Sequence, residues 1–304
     1  MSIAAVLGVL TAALFATGVT ISRLGMRTLD TTTGVYWSVL STTMVLGTLV
    51  LVRGGLGALT LEAFILVAIA GLLASVIGRF SSFRGALRLG PSRSVAVQSS
   101  TYPVMSVIGG LLFFRETLTP ARVLGVALLM LSVRAIFTDL DPSRRTAATR
   151  TDGKKAGGLL PGRLAMLYPL ASGAAYGGSD LFRKGALEVG ADPLGAAFAG
   201  IAVALVVWTG IVGRRSGVRA LVRLGTGARW YMLSGAFSAF AVLSSFYALQ
   251  RGDASVVGPL IATQPVFVAV ASALVLGDLE KRTVRTFLAV ALVTTGAVIL
   301  GRFG

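Results

Sequence analysis

The most polar run inside any apolar stretch of this 304-residue chain is Gln98-Ser99-Ser100-Thr101-Tyr102, followed at once by Pro103. Ser94, Gln98, Thr101 and Tyr102 recur at helical spacing and can share one face. Polar groups in hydrocarbon are costly unless they meet a partner or a wet cavity, so this face predicts a cavity lining or hydrogen bonds between helices. Thr263, Gln264 and Pro265 repeat the pattern in the second half of the chain. A proline inside a helix removes one backbone hydrogen bond and bends the helix, so Pro103 and Pro265 are candidate hinges. Arg79 is the one basic residue well inside an apolar run, where an unpaired guanidinium costs about 2.5–3.5 kcal/mol. Either it lines a cavity, where it could hold a carboxylate or phosphate, or it snorkels to an interface. Asp180 is the only acidic residue clearly inside such a run. It could carry a proton or meet a substrate amine, while Arg183 and Lys184, three and four residues on, could pair with it locally. Tyr176 and Phe240 are the aromatics central enough for a cavity wall. Trp37, Trp230 and Tyr231 lie near run ends, where aromatic residues commonly form an interfacial belt.

The composition says what must position these groups. The chain is 55% hydrophobic and 13% charged, with 28 Lys+Arg against 12 Asp+Glu. It has no cysteine and no histidine, so thiolate chemistry, a Ser–His pair and His-ligated metals are excluded. No metal site, cofactor or paired carboxylates can be read, and an intramembrane enzyme is a remote alternative. A net charge of +16 can signal nucleic acid, but here the arginines fill short gaps between apolar runs. That pattern predicts a lipid bilayer as partner and no nucleic acid.

A spanning helix needs about 20 apolar residues. Runs of that kind occur at 2–22, 34–52, 61–83, 94–114, 121–138, 164–182, 194–212, 230–250, 255–277 and 284–303. The expected fold is therefore an all-α membrane protein with ten transmembrane helices. The Gly-, Thr- and charge-rich segment 139–163 reads as a linker between residues 1–138 and 164–304. The two halves resemble each other: a shift of 162 aligns Ser82/Ser244, Gly90/Gly252, Thr101/Thr263, Pro103/Pro265 and the acidic pair Glu116/Asp278. A shift of 160 matches Gly18/Gly178, Arg23/Arg183 and Gly25/Gly185. Five helices per half force the second half into the membrane from the opposite side, giving two inverted repeats.

On these residues a family resemblance stands out. The stretch ALRLGPSRSVAVQSSTYPVMSVIGGLLFFRETLTPARVLGVALLMLSV (86–133) resembles the signature of the EamA-like branch of the drug/metabolite transporter superfamily. ALQRGDASVVGPLIATQPVFVAVASALVLGDLEKRTVRTFLAVALVTTGAVIL (248–300) is similar to it again. Arg115 stands where the pattern usually has Gly, and Asp278 where it has Glu. The resemblance implies a central cavity lined by helices one to four and six to nine, with five and ten outside. It also implies carriage of a small molecule across the plasma membrane of a bacterial-type cell. With no P-loop sequence present, that carriage would be facilitated or coupled to an ion gradient, protons included. Export of a small metabolite such as an amino acid is the expected activity, with drug efflux or metabolite uptake as alternatives. The expected cavity residues are Gln98, Thr101, Tyr102, Thr263, Gln264, Tyr176 and Arg79, with Asp180 as a proton or charge partner. Most Lys and Arg fall in the odd-numbered connections, which puts linker 139–163 in the cytoplasm and the termini outside. The resemblance implies cytoplasmic termini instead. Small-residue stripes at Gly8/Ala12/Ala16 and Ala196/Gly200/Ala204 fit either self-association or internal seams, so the oligomeric state stays open.

Overall fold

A computed structural model describes residues 2–89, 91–117, 119–138, 165–275 and 284–303. The linker 139–163 and Asp278 lie outside the described residues. In chain order the helices are α1 (Ile3–Gly25), α2 (Thr31–Arg53), α3, α4 (Pro91–Phe113), α5 (Pro120–Thr138), α6 (Leu167–Glu188) and α7 (Pro193–Ser216). They continue as α8 (Val218–Val222), α9 (Thr226–Arg251), α10 (Ala254–Ile261), α11 (Gln264–Val275) and α12 (Val284–Phe303). Helix α3 is composite: Leu61–Gly71, a π-helical segment Leu72–Gly78, and Arg79–Leu89. Among the described residues, six helices are long and apolar enough to cross a membrane: α1, α2, α3, α4, α7 and α9. Two of the other expected spans differ for local reasons. Helix α6 carries Asp180, Arg183 and Lys184, and the segment after Arg251 is divided between α10 and α11.

Helix starts follow from capping. Ser2, Asp30, Thr60 and Asp192 each accept a hydrogen bond from the backbone N–H three residues later, and Pro193 opens α7.

Helix pairing has the symmetry that the repeat predicts. The pair α1–α9 is matched by α6–α3, α2–α9 by α7–α3, and α1 with α10 and α11 by α6 with α4. Three further pairs, α2–α7, α5–α12 and α4–α10, map onto themselves when the halves exchange. Their contacts run antiparallel. A Cβ on Gly47 would meet Phe198 while Arg53 bonds Asp192, and a Cβ on Gly125 would meet Leu300 while one on Gly296 would meet Leu129. In these three pairs each helix therefore faces its repeat mate upside down, as inversion requires.

Small residues make these approaches feasible. A Cβ on Gly71 would sit 2.0 Å from the Gly200 carbonyl oxygen, so α3 and α7 touch backbone to backbone. Ala12 and Ala16 are fully buried and a Cβ on Gly8 would press on Leu260, so this stripe is an internal seam, as is Ala196/Gly200/Ala204. Tyr231, expected at the interface, is buried against Gly25 and Gly34, and Trp37 is buried beside Tyr36. Two small-residue helices leave a slot that an aromatic ring fills better than lipid would.

At the end of α4 the chain turns through Arg115, whose φ of 52° makes it the only non-glycine residue of positive φ among those described. Both Phe114 and Glu116 donate their N–H to the Gly110 carbonyl there. This explains why a glycine suits the position. The turn aims the Glu116 carboxylate at the start of α10, where it accepts from the Ala254 and Ser255 N–H groups at 2.7 and 2.9 Å. Arg122 and Asp253 add an ion pair at 2.7 Å. One half thus caps a helix of the other.

Arg115→Gly should stabilise the protein by about 0.5–1 kcal/mol, the relieved left-handed strain less the added unfolded-state entropy, seen as a higher melting temperature in detergent. Glu116→Ala should cost about 1–2 kcal/mol, because two N–H groups at a helix start lose a charged acceptor, and lower the melting temperature in the same assay.

Candidate cavity between the two halves

The site begins with the π-helical segment of α3. Widening the helix there makes the Arg79 N–H donate to the Ala74 carbonyl, five residues back. Other carbonyls of the segment are claimed from outside: Trp208 Nε1 donates to Ser75 at 3.0 Å, and the Ser172 hydroxyl to Gly78 at 2.9 Å. These two bonds, from α7 and α6, hold the irregular turn in place. They fix where Arg79 leaves the backbone.

The Arg79 side chain does not snorkel. It is 6% exposed, donates to the Ser38 hydroxyl at 3.1 Å and shares the cavity wall with Tyr176. No carboxylate lies within ion-pair distance of it among the described residues. Across the same space Arg183 is engaged through its Nη1 and its guanidinium face. It pairs with Asp180 at 2.9 Å, donates to Ser245 at 3.2 Å and lies over the Phe246 ring. The Tyr102 hydroxyl donates to the other Asp180 oxygen, so the carboxylate, 1% exposed, is held from both sides. Lys184, the alternative partner, instead reaches the Leu249 and Gly252 carbonyls. Gln98 is positioned by its oxygen, which accepts from Ser82 at 2.9 Å and lies 3.1 Å from the Ser172 hydroxyl, whose proton serves Gly78.

These groups line one cavity of about 50 Å³. Its walls come from α1 (Phe15, Val19), α2 (Ser38), α3 (Arg79, Ser82, Phe83), α4 (Gln98, Ser99, Tyr102) and α6 (Tyr176, Asp180, Arg183). Ser234 and Ser238 of α9, Ile261, Ala262 and Gln264 close the other side. Neither α5 nor α12 contributes a described residue to the wall. Both halves of the chain contribute. The volume suits one or two waters and lies well below the roughly 300–1,000 Å³ of small-molecule pockets. A larger occupant therefore needs the walls to move.

Of the residues singled out from sequence, Gln98, Tyr102, Gln264, Tyr176, Arg79 and Asp180 meet here. Thr101 and Thr263 do not line the cavity, and for the same reason: each turns its hydroxyl back onto its own helix, Thr101 to Val97 and Thr263 to Leu260. Phe240 is half-exposed on the outer surface of α9. The two prolines differ in effect. Helix α4 runs on through Pro103, whereas the break between α10 and α11, at Ala262–Thr263, falls just before Pro265. Each proline lacks the N–H that would serve the carbonyl four residues earlier, at Ser99 and Ile261, and both of those residues line the cavity. Sequence reading missed the π-helical segment and the lining residues Ser38, Ser82, Ser234 and Ser238. Serines four apart, at 234 and 238, were the available signal.

The chain has close structural counterparts. It overlays on a crystal structure of a protein 17% identical in sequence with a TM-score of 0.72, covering 100% of this chain and 99% of that one, which shows a shared fold. No curated protein matches it. The model of the EamA-like transporter family matches residues 2–138 and again 163–302, one match per half. With the family model covering nearly the whole length, this multi-pass membrane protein belongs to the EamA-like transporter family.

Proposed function

We propose that the protein is a secondary transporter that exports a small metabolite such as an amino acid by alternating access around the cavity. The observation that carries this reading is the cavity itself, enclosed between two inverted halves and lined by polar and charged side chains from both. Sites at the interface of inverted repeats suit alternating access, because rocking one half against the other exposes the same groups to each side in turn. In this reading residues 1–138 and 164–304 are the two moving units and 139–163 tethers them. Gln98, Tyr102, Gln264, Tyr176 and Arg79 contact the substrate. The break before Pro265 and the proline in α4 give α10, α11 and α4 places to bend. Asp180 acts first as the charge partner of Arg183, and a proton reaching it would loosen that pair.

The positive-inside argument supports a plasma membrane location with the linker in the cytoplasm. The antiparallel pairing of α2 with α7 and of α1 with α9 gathers Arg27, Arg214, Arg215 and Arg229 at one end of the bundle, the end consistent with that side.

Reconstituted into liposomes, the purified protein should exchange labelled amino acids against an internal unlabelled pool, saturably and above protein-free controls. Asp180→Asn should cut that exchange by at least about tenfold, because it leaves Arg183 buried without its counter-charge. Absence of exchange for every amino acid and small metabolite tried, by protein of native melting behaviour, would contradict the proposal.

A further inference from the structure

We infer that the cavity selects a singly charged carboxylate, with Arg79 as its anchor; this rests on the transporter reading and names the substrate class. The lining holds two guanidinium groups, Arg79 and Arg183, and one carboxylate, Asp180. Asp180 is spent on Arg183 and Tyr102. The site therefore keeps one positive charge over, and that charge sits on Arg79, which donates to the neutral Ser38 hydroxyl and shares the wall with the neutral Tyr176. A guanidinium buried to 6% exposure at membrane depth is costly, and an anion in the cavity removes most of that cost. Charge balance sets the valence. One carboxylate neutralises the site, whereas a phosphate dianion would leave a net negative charge in a low-dielectric space.

Geometry agrees with charge. A guanidinium offers a planar fork that matches a carboxylate. Gln98 has its oxygen taken by the Ser82 hydroxyl, which leaves its amide nitrogen as the donor it can offer to the same anion. Phe15, Val19, Phe83 and Ile261 form an apolar wall for the rest of the molecule. The bound species is then a small organic acid with an apolar body.

The test is thermal protection of the purified full-length protein in detergent, using matched pairs. These are the apolar amino acids and their amides, C4–C7 monocarboxylates and their amides, and inorganic phosphate. At least one carboxylate should raise the melting temperature, and its amide should need at least about tenfold more to do the same. Arg79→Lys should keep the preference for the acid and Arg79→Gln should abolish it. Equal protection by acids and amides, strongest protection by phosphate, or no protection by any carboxylate would overturn the assignment. Exchange assays in liposomes separate it from the transport proposal. Flux of neutral compounds, undiminished in Arg79→Gln, would leave transport standing and remove the anion anchor. Carboxylate protection without flux in any direction would do the reverse.

Discussion

Burying two guanidinium groups at the centre of a lipid-facing bundle is the constraint on which the rest of the molecule turns. Neither Arg79 nor Arg183 can be desolvated without partners, and the partners come from different helices and both halves of the chain. Arg183 on α6 takes Asp180 from its own helix and Ser245 and Phe246 from α9. Asp180 in turn takes Tyr102 from α4. Arg79 takes Ser38 from α2, with Tyr176 of α6 in the same wall. The polar network therefore does in the interior what apolar packing cannot do between helices already solvated by lipid: it specifies which helices meet, and at what height. The π-helical segment before Arg79, with Trp208 and Ser172 bonded to its carbonyls, is the backbone adjustment that brings the guanidinium to the cavity.

The scaffold around the network is symmetric and the network is not. Helix pairings exchange under inversion, and Gly71 against Gly200 shows how closely the backbones approach at those seams. Yet the positions matching Asp180 and Arg79 at the shifts of 160 and 162 are Thr20 and Ala241. A symmetric pair of halves can present one site to two sides, while asymmetric charges inside it fix what the site will hold. Glu116 links the two levels. It follows the turn at Arg115 at the end of α4 and caps α10 in the second half, so one end of the bundle is tied by a contact between halves.

How much of this the sequence disclosed follows its physical levels. The repeat, the apolar runs and the family resemblance were legible because each is a pattern along the chain: hydropathy for lipid, glycine and proline landmarks for the fold. Arg79 and Asp180 were visible as ionisable residues in the wrong solvent. Their partners were not, since Ser38 and Tyr176 meet Arg79 only through the packing of α2 and α6 on α3. Thr101 and Thr263 misled because spacing places a residue on a face but cannot say that its hydroxyl prefers its own helix carbonyl. Tyr231 misled because closeness to a run end is no guide when glycines open an internal slot, and Trp37 because it packs inward beside Tyr36. The π-helical segment leaves no sequence signal, because its widened turn is held by bonds from Trp208 and Ser172.

The central claim is that the small cavity opens to alternate sides, and distance measurement tests it most directly. The chain has no native cysteine, so spin labels at Arg115→Cys and Arg251→Cys, both exposed at the Glu116-capped end, report on that end alone. The account predicts two inter-label distances in lipid, with their proportions shifted by a carboxylate that protects the protein. A single distance, unchanged by that carboxylate in labelled protein that still exchanges substrate, would contradict it.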